Sequence, residues 1–88
     1  MEKFEIIFKS SVRKDFRKIS NHILSQILKK IAHLEIQPFP HGCKKLVESE
    51  SLYRIRTGDY RIIYEVNKSL NQIIIHYVRH RKDVYRAL

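Results

Sequence analysis

A chain of 88 residues is too short to build two hydrophobic cores, so one domain spanning residues 1–88 is expected. Hydrophobic residues make up 43% and charged residues 31%, which excludes the composition of a disordered chain. Eighteen Lys and Arg against nine Asp and Glu leave a formal charge of +9. An excess that large on so small a domain points to a polyanionic partner: RNA, DNA, anionic lipid or an acidic protein. No apolar run approaches the roughly 20 residues of a membrane span. The start, Met1-Glu2-Lys3-Phe4-Glu5, lacks the apolar stretch of a signal peptide. A cytoplasmic protein with no membrane partner is the expectation. Cys43 is the single cysteine, so neither an internal disulfide nor a thiolate metal site is expected.

In chain order, Lys3 to Lys9 is a short β-rich run carrying Phe4, Ile6, Ile7 and Phe8, read as the first strand. Ser10 or Ser11 can cap a helix starting there. Val12, Phe16 and Ile19 fall at i, i+4 and i+7, one face of a short helix. Ser20-Asn21 breaks it. Ile23, Leu24, Ile27, Leu28, Ile31 and Leu34 then give a second helix its apolar stripe. Gln37-Pro38-Phe39-Pro40-His41-Gly42 ends that helix, because proline cannot continue it. The period then changes. Leu52 to Arg56 and Tyr60 to Val66 flank Thr57-Gly58-Asp59, a hairpin signal. Asn67 to Asn71 makes a second turn, and Gln72 to Val78 is a third strand apolar enough to be central. The order βααβββ implies an α+β fold, a two-helix hairpin packed on a small twisted antiparallel sheet.

Strand side chains alternate between faces. If Ile55, Ile62 and Tyr64 pack under the helices, Arg54, Arg56 and Arg61 line up on the open face. Arg79 and Arg81 arrive at the end of the third strand, with His80, Lys82, Tyr85 and Arg86 nearby in the chain. Clustered arginines repel one another, so an anion site explains them better than solubility does. Their forks match phosphate oxygens bidentately. A solvated sheet face is the plainer alternative. Of the histidines, His22, His33 and His41 read as surface or boundary residues, and His76 as a satisfied core residue. No two have metal-ligand spacing on one element, so no metal and no other cofactor is expected.

Three segments carry a family resemblance. Leu52-Tyr53-Arg54-Ile55-Arg56-Thr57-Gly58-Asp59-Tyr60-Arg61-Ile62-Ile63-Tyr64 resembles the central hairpin of the RelE/ParE toxin superfamily. Val78-Arg79-His80-Arg81-Lys82-Asp83-Val84-Tyr85-Arg86 resembles its C-terminal motif, and His41-Gly42-Cys43-Lys44-Lys45-Leu46 its Gly-Lys-Leu stretch. The resemblance to the RelE branch implies the toxin of a type II toxin–antitoxin pair, a metal-free endoribonuclease that cuts messenger RNA on the ribosome. It implies a cognate RelB-like antitoxin as partner. It places the catalytic set on Arg54, Arg56, Arg61, Arg79 and Tyr85, with Arg81 a second candidate for the C-terminal arginine. Lys44, Lys45, Arg81, Lys82 and Arg86 become RNA-binding residues.

The implied reaction is attack of a ribose 2′-OH on the adjacent phosphate. Arg61 and Arg79 suit charge neutralisation, and Tyr85 suits stacking or alignment. Members of the branch carry Lys where this chain has Arg54 and Arg56. A lysine can be tuned into a base, whereas an arginine stays protonated. Either positioning and charge suffice, or another group moves the proton, and His80 is the candidate. The sequence leaves two other readings open: a ParE-like toxin that inhibits DNA gyrase by binding, and a non-catalytic nucleic-acid-binding module.

Overall fold

The elements in chain order are β1 (Glu5–Phe8), α1 (Ser10–Arg17), α2 (Asn21–His33), β2 (Lys44–Lys45), β3 (Leu52–Thr57), β4 (Tyr60–Asn67) and β5 (Gln72–His80). The structure, a computed structural model, describes residues 3–47, 49 and 51–82. The candidate site residues Tyr85 and Arg86 lie outside the described residues. Ser20 precedes α2 in extended conformation, as a helix-starting residue does, although its side chain makes no capping bond. Ser11 does not cap α1 either; its hydroxyl donates to the His76 carbonyl at 3.0 Å. Gly58 supplies φ +58 at the first central position of the two-residue link between β3 and β4, where a tight hairpin wants glycine. At the next turn the Leu70 N–H donates to Asn67 Oδ1 at 3.1 Å, and Asn71 takes φ +52.

The strands form one sheet in the order β1-β5-β4-β3-β2. β3, β4 and β5 are the expected antiparallel meander. The sheet as a whole is mixed, which corrects the antiparallel expectation: β1 runs parallel to β5, with Ile6 opposite Ile73 and Ile7 opposite Ile74. Apolar pattern reveals that both strands are buried, but not the direction in which they pair. A parallel pair needs a long crossover, and here everything between the two strands supplies it. The two-residue β2 is also absent from the sequence pattern. Lys44-Lys45 has no strand periodicity and is extended because it pairs with Arg54 and Tyr53.

One face of the sheet contributes Ile55, Ile62, Tyr64, Ile73, Ile75 and Val78 to the core; the helices contribute Val12, Ile19, Ile27, Ile31 and Leu34. Fully burying such a side chain stabilises the fold by roughly 1.5–3 kcal/mol. The Tyr64 hydroxyl donates to the Pro38 carbonyl at 2.8 Å, tying the segment after α2 to the sheet. A bulge falls where Tyr64 pairs with Ile75 while Ile63 pairs with Tyr77, leaving His76 without a partner across the ladder. His76 is therefore half-buried and bonded to Glu65 at 2.9 Å, on the face away from the helices. Beyond Phe8 no strand covers β5, and α1 takes over. The Lys9 N–H donates to the Ile75 carbonyl at 3.1 Å, and the Val78 N–H donates to Asp15 Oδ2 at 3.0 Å.

Candidate functional site

The open face carries two rows of cross-strand neighbours. Arg56 pairs with Arg61, and Arg61 with Arg79. The next row runs Lys44, Arg54, Ile63, Tyr77. Directly opposite residues lie about 5 Å apart at Cα, and like charges so placed destabilise a sheet. Arg61, at the centre of the first row, is only 7% exposed. Its Nη1 is buried and finds no hydrogen-bond partner among the described residues. Alternation predicts this side chain on the open face, and the register agrees. Alternation does not show the depth, which comes from a central strand with a long neighbour on each side. A nearly buried cation with an unpartnered donor, flanked by two more cations, is an arrangement that a nearby anion would stabilise.

A cleft of about 360 Å³ opens where β2 stops and leaves the end of β3 without a strand beside it. It is lined by Arg54, Arg56 and Arg61 with Lys30 from α2, Lys44 from β2, and His41. Neither Lys30 nor His41 is expected here from the sequence. Both come from segments remote in the chain, and neither breaks a pattern that could have flagged it. Arg79 leans away from this cleft. Its Nε lies 3.7 Å from Asp15 Oδ1, and its Cζ is 4.8 Å from the Tyr77 ring centroid. His80 takes the other parity and the other face, edge-to-face with Tyr60 at 5.5 Å between centroids. The structure thus brings Arg54, Arg56, Arg61 and Lys44 together, sets Arg79 at the end of their row, and keeps His80 apart. Lys45 pairs with Tyr53, so it falls on the helix side. Arg81 and Lys82 are exposed just beyond β5, the Arg81 N–H donating to the Asp59 carbonyl at 2.7 Å. Among the described residues no group of three His, Cys, Asp or Glu could hold a metal ion, and no helix is long and apolar enough to cross a membrane.

This sheet, with its basic open face, has known counterparts. Residues 6–85 match the family described as the ParE toxin of the type II toxin–antitoxin system parDE. The chain belongs to that toxin family. The toxin is 32% identical to the toxin RelE3 of Methanocaldococcus jannaschii over 85 residues, covering 92% of this chain and 94% of that protein. It is 26% identical to the toxin RelG of Mycobacterium tuberculosis over 84 residues, 94% and 97% of the two chains. Its fold superposes on the toxin of an archaeal RelE–RelB complex from Pyrococcus horikoshii with a TM-score of 0.80. That match has 28% identity and covers 90% of this chain and 96% of the other. The toxin is thus a RelE-like member of the RelE/ParE superfamily, with the α+β fold that the resemblance implied.

Proposed function

We propose that this toxin is a RelE-like endoribonuclease that cuts messenger RNA on the ribosome, in the cytoplasm, and is held inactive by a RelB-like antitoxin. The RelE names of its relatives support the branch, and a relative's complex with RelB supports the partner. The observation that carries the reading is the row Arg56, Arg61, Arg79 with the unpartnered Nη1 at its centre. The reaction is attack by a ribose 2′-oxygen on the adjacent phosphorus, which builds negative charge on the non-bridging oxygens. Fixed cations aimed at that charge give the largest single catalytic contribution such a site can make. Arg61 is assigned to the phosphorane, with Arg56 and Arg79 on either side of it. Arg54 and Lys44 are assigned to the neighbouring RNA backbone, as are Arg81, Lys82 and Arg86, while Lys45, on the helix side, is left out of the set. Tyr85 is assigned to a base or to alignment of the reacting groups. No metal ion has a part in this scheme, because the arginines take the neutralising role.

The test is brief induction in cells, with the toxin and its Arg61→Ala variant compared. Cleaved messages with the toxin and intact ones with the variant are expected. The variant should lose about 100- to 1000-fold in rate, the usual effect of removing one charge contact in the transition state. Damaged DNA with intact messages would indicate gyrase inhibition instead. An Arg61→Ala protein as toxic as the parent would sink the site assignment.

A further inference from the structure

The arginine cleft contains one imidazole, and it is not on the strands. Lys30, Lys44, Arg54, Arg56 and Arg61 surround the space as cations. Arginine stays protonated at any working pH, and an ordinary lysine nearly so. The sixth polar side chain is His41. Its backbone is fixed. The Cys43 N–H donates to the Pro40 carbonyl at 3.0 Å, which makes His41 and Gly42 the two corner residues of a hydrogen-bonded turn. Gly42, at the second corner, has φ +88, as a type II turn requires. Two residues on, Lys44 is bound into the sheet opposite Arg54. The backbone that carries the exposed His41 is thereby held at both ends of its turn, beside the arginine cleft.

We propose that His41 is the proton acceptor of the cleavage reaction, an inference that rests on the ribonuclease reading. The neutral imidazole removes the 2′-hydroxyl proton as the 2′-oxygen bonds to phosphorus. The phosphorus–5′-oxygen bond breaks, and the 5′-oxygen takes a proton from water. The products are a 2′,3′-cyclic phosphate and a 5′-hydroxyl, with the proton on His41 then lost to solvent. Five cations line the cleft with His41: Lys30 from α2, Lys44 from β2, Arg54 and Arg56 from β3 and Arg61 from β4. This assignment also accounts for arginine at positions 54 and 56. With an imidazole present, neither strand position has to supply a base.

The experiment is single-turnover cleavage of one defined message on programmed ribosomes from pH 5.5 to 8.5, with the toxin, His41→Asn and His41→Ala. For the parent, the logarithm of the rate should rise with unit slope on the acid side and then level. His41→Asn should fall by roughly 100-fold or more and lose that slope, and millimolar imidazole should restore part of the His41→Ala rate. Circular dichroism should show both variants folded, since the replaced ring is exposed on a turn. Parent-like rate and slope in His41→Asn would overturn the proposal, as would a lower rate with the slope intact, which would make His41 a positioning residue only. No cleavage by the parent itself would overturn the ribonuclease reading and this assignment with it.

Discussion

Arg61 sits where folding alone would not put a guanidinium. It is 7% exposed, has a buried Nη1 without a partner among the described residues, and lies between two other arginines. A buried polar group left unpaired costs about 1–3 kcal/mol, and more when charged. Replacing it with an apolar side chain of similar length should therefore help the fold. Arg61→Met is expected to raise unfolding stability in urea by about 1–3 kcal/mol while cleavage is lost. A Met variant less stable than the parent would mean that the guanidinium is satisfied in place and is no vacant anion seat. How much of this is legible in the sequence depends on the residue. The period-2 alternation puts Arg54, Arg56 and Arg61 on one face. The same alternation separates Arg79 from His80, and applied strictly it sets His80 aside. The depth of Arg61 is not legible, because alternation gives a face and says nothing about neighbours on either side. His41 reads as a boundary residue in the sequence because its turn reaches the cleft only through the pairing of Lys44 with Arg54.

At the scale of elements, α1 does the work of a missing strand. Asp15 is 8% exposed, and its carboxylate receives the Val78 N–H that β1 is too short to pair. Asp15→Ala should leave that N–H buried and unpaired, costing about 1–3 kcal/mol in denaturant unfolding. Asp15→Asn keeps an acceptor and should lose less; equal losses would mean that the carbonyl-type acceptor is irrelevant. A sequence signal for this exists: Val12, Asp15, Phe16 and Ile19 share one helical face, and an acid on an apolar stripe asks for a partner. Tyr64 makes a second junction, between β4 and the segment after α2. Burial first, then the neighbouring Cys43 and Tyr53, push its phenol above the ordinary value of 10.0. The unfolded chain therefore ionises this group first as pH rises, and the folded chain holds its proton. The contribution is complete below pH 10 and is lost above it, at up to about 1.4 kcal/mol per pH unit. Tyr64→Phe should be less stable at pH 7 by about 1 kcal/mol. It should also show a shallower decline between pH 10 and 11 in unfolding midpoints. Parallel declines would mean that the Tyr64 phenol ionises as readily when folded. The helices and the meander are legible as periodicity. The parallel β1–β5 pair and β2 are not, because both are set by long-range pairing.

Over the whole molecule, charge and placement decide where the toxin works. A formal +9 on 88 residues is expected to attract any RNA, with binding that weakens steeply as salt rises. Binding alone does not cut. The 2′-oxygen, phosphorus and leaving oxygen must be nearly collinear, an arrangement that flexible single-stranded RNA seldom holds. Correct placement can supply roughly 7–11 kcal/mol of the barrier. A well-placed base supplies about 100- to 10,000-fold, or roughly 3–5 kcal/mol, so placement is the larger contribution even with His41 acting as proposed. The toxin's cleft is an open groove at a sheet edge, lined mainly by cations, and on the proposed function such a lining would hold phosphate without fixing the ribose. A scaffold that holds and bends the message would supply what the groove lacks, and the ribosome is the scaffold the proposed function names. Purified toxin should therefore cleave free message very slowly, and the same message loaded on ribosomes at least 1000-fold faster by the placement term. Raising the salt should suppress the slow reaction more than the ribosomal one, because only the former depends on charge alone to hold the RNA. Equal rates with and without ribosomes would mean that the cleft orients the 2′-hydroxyl unaided.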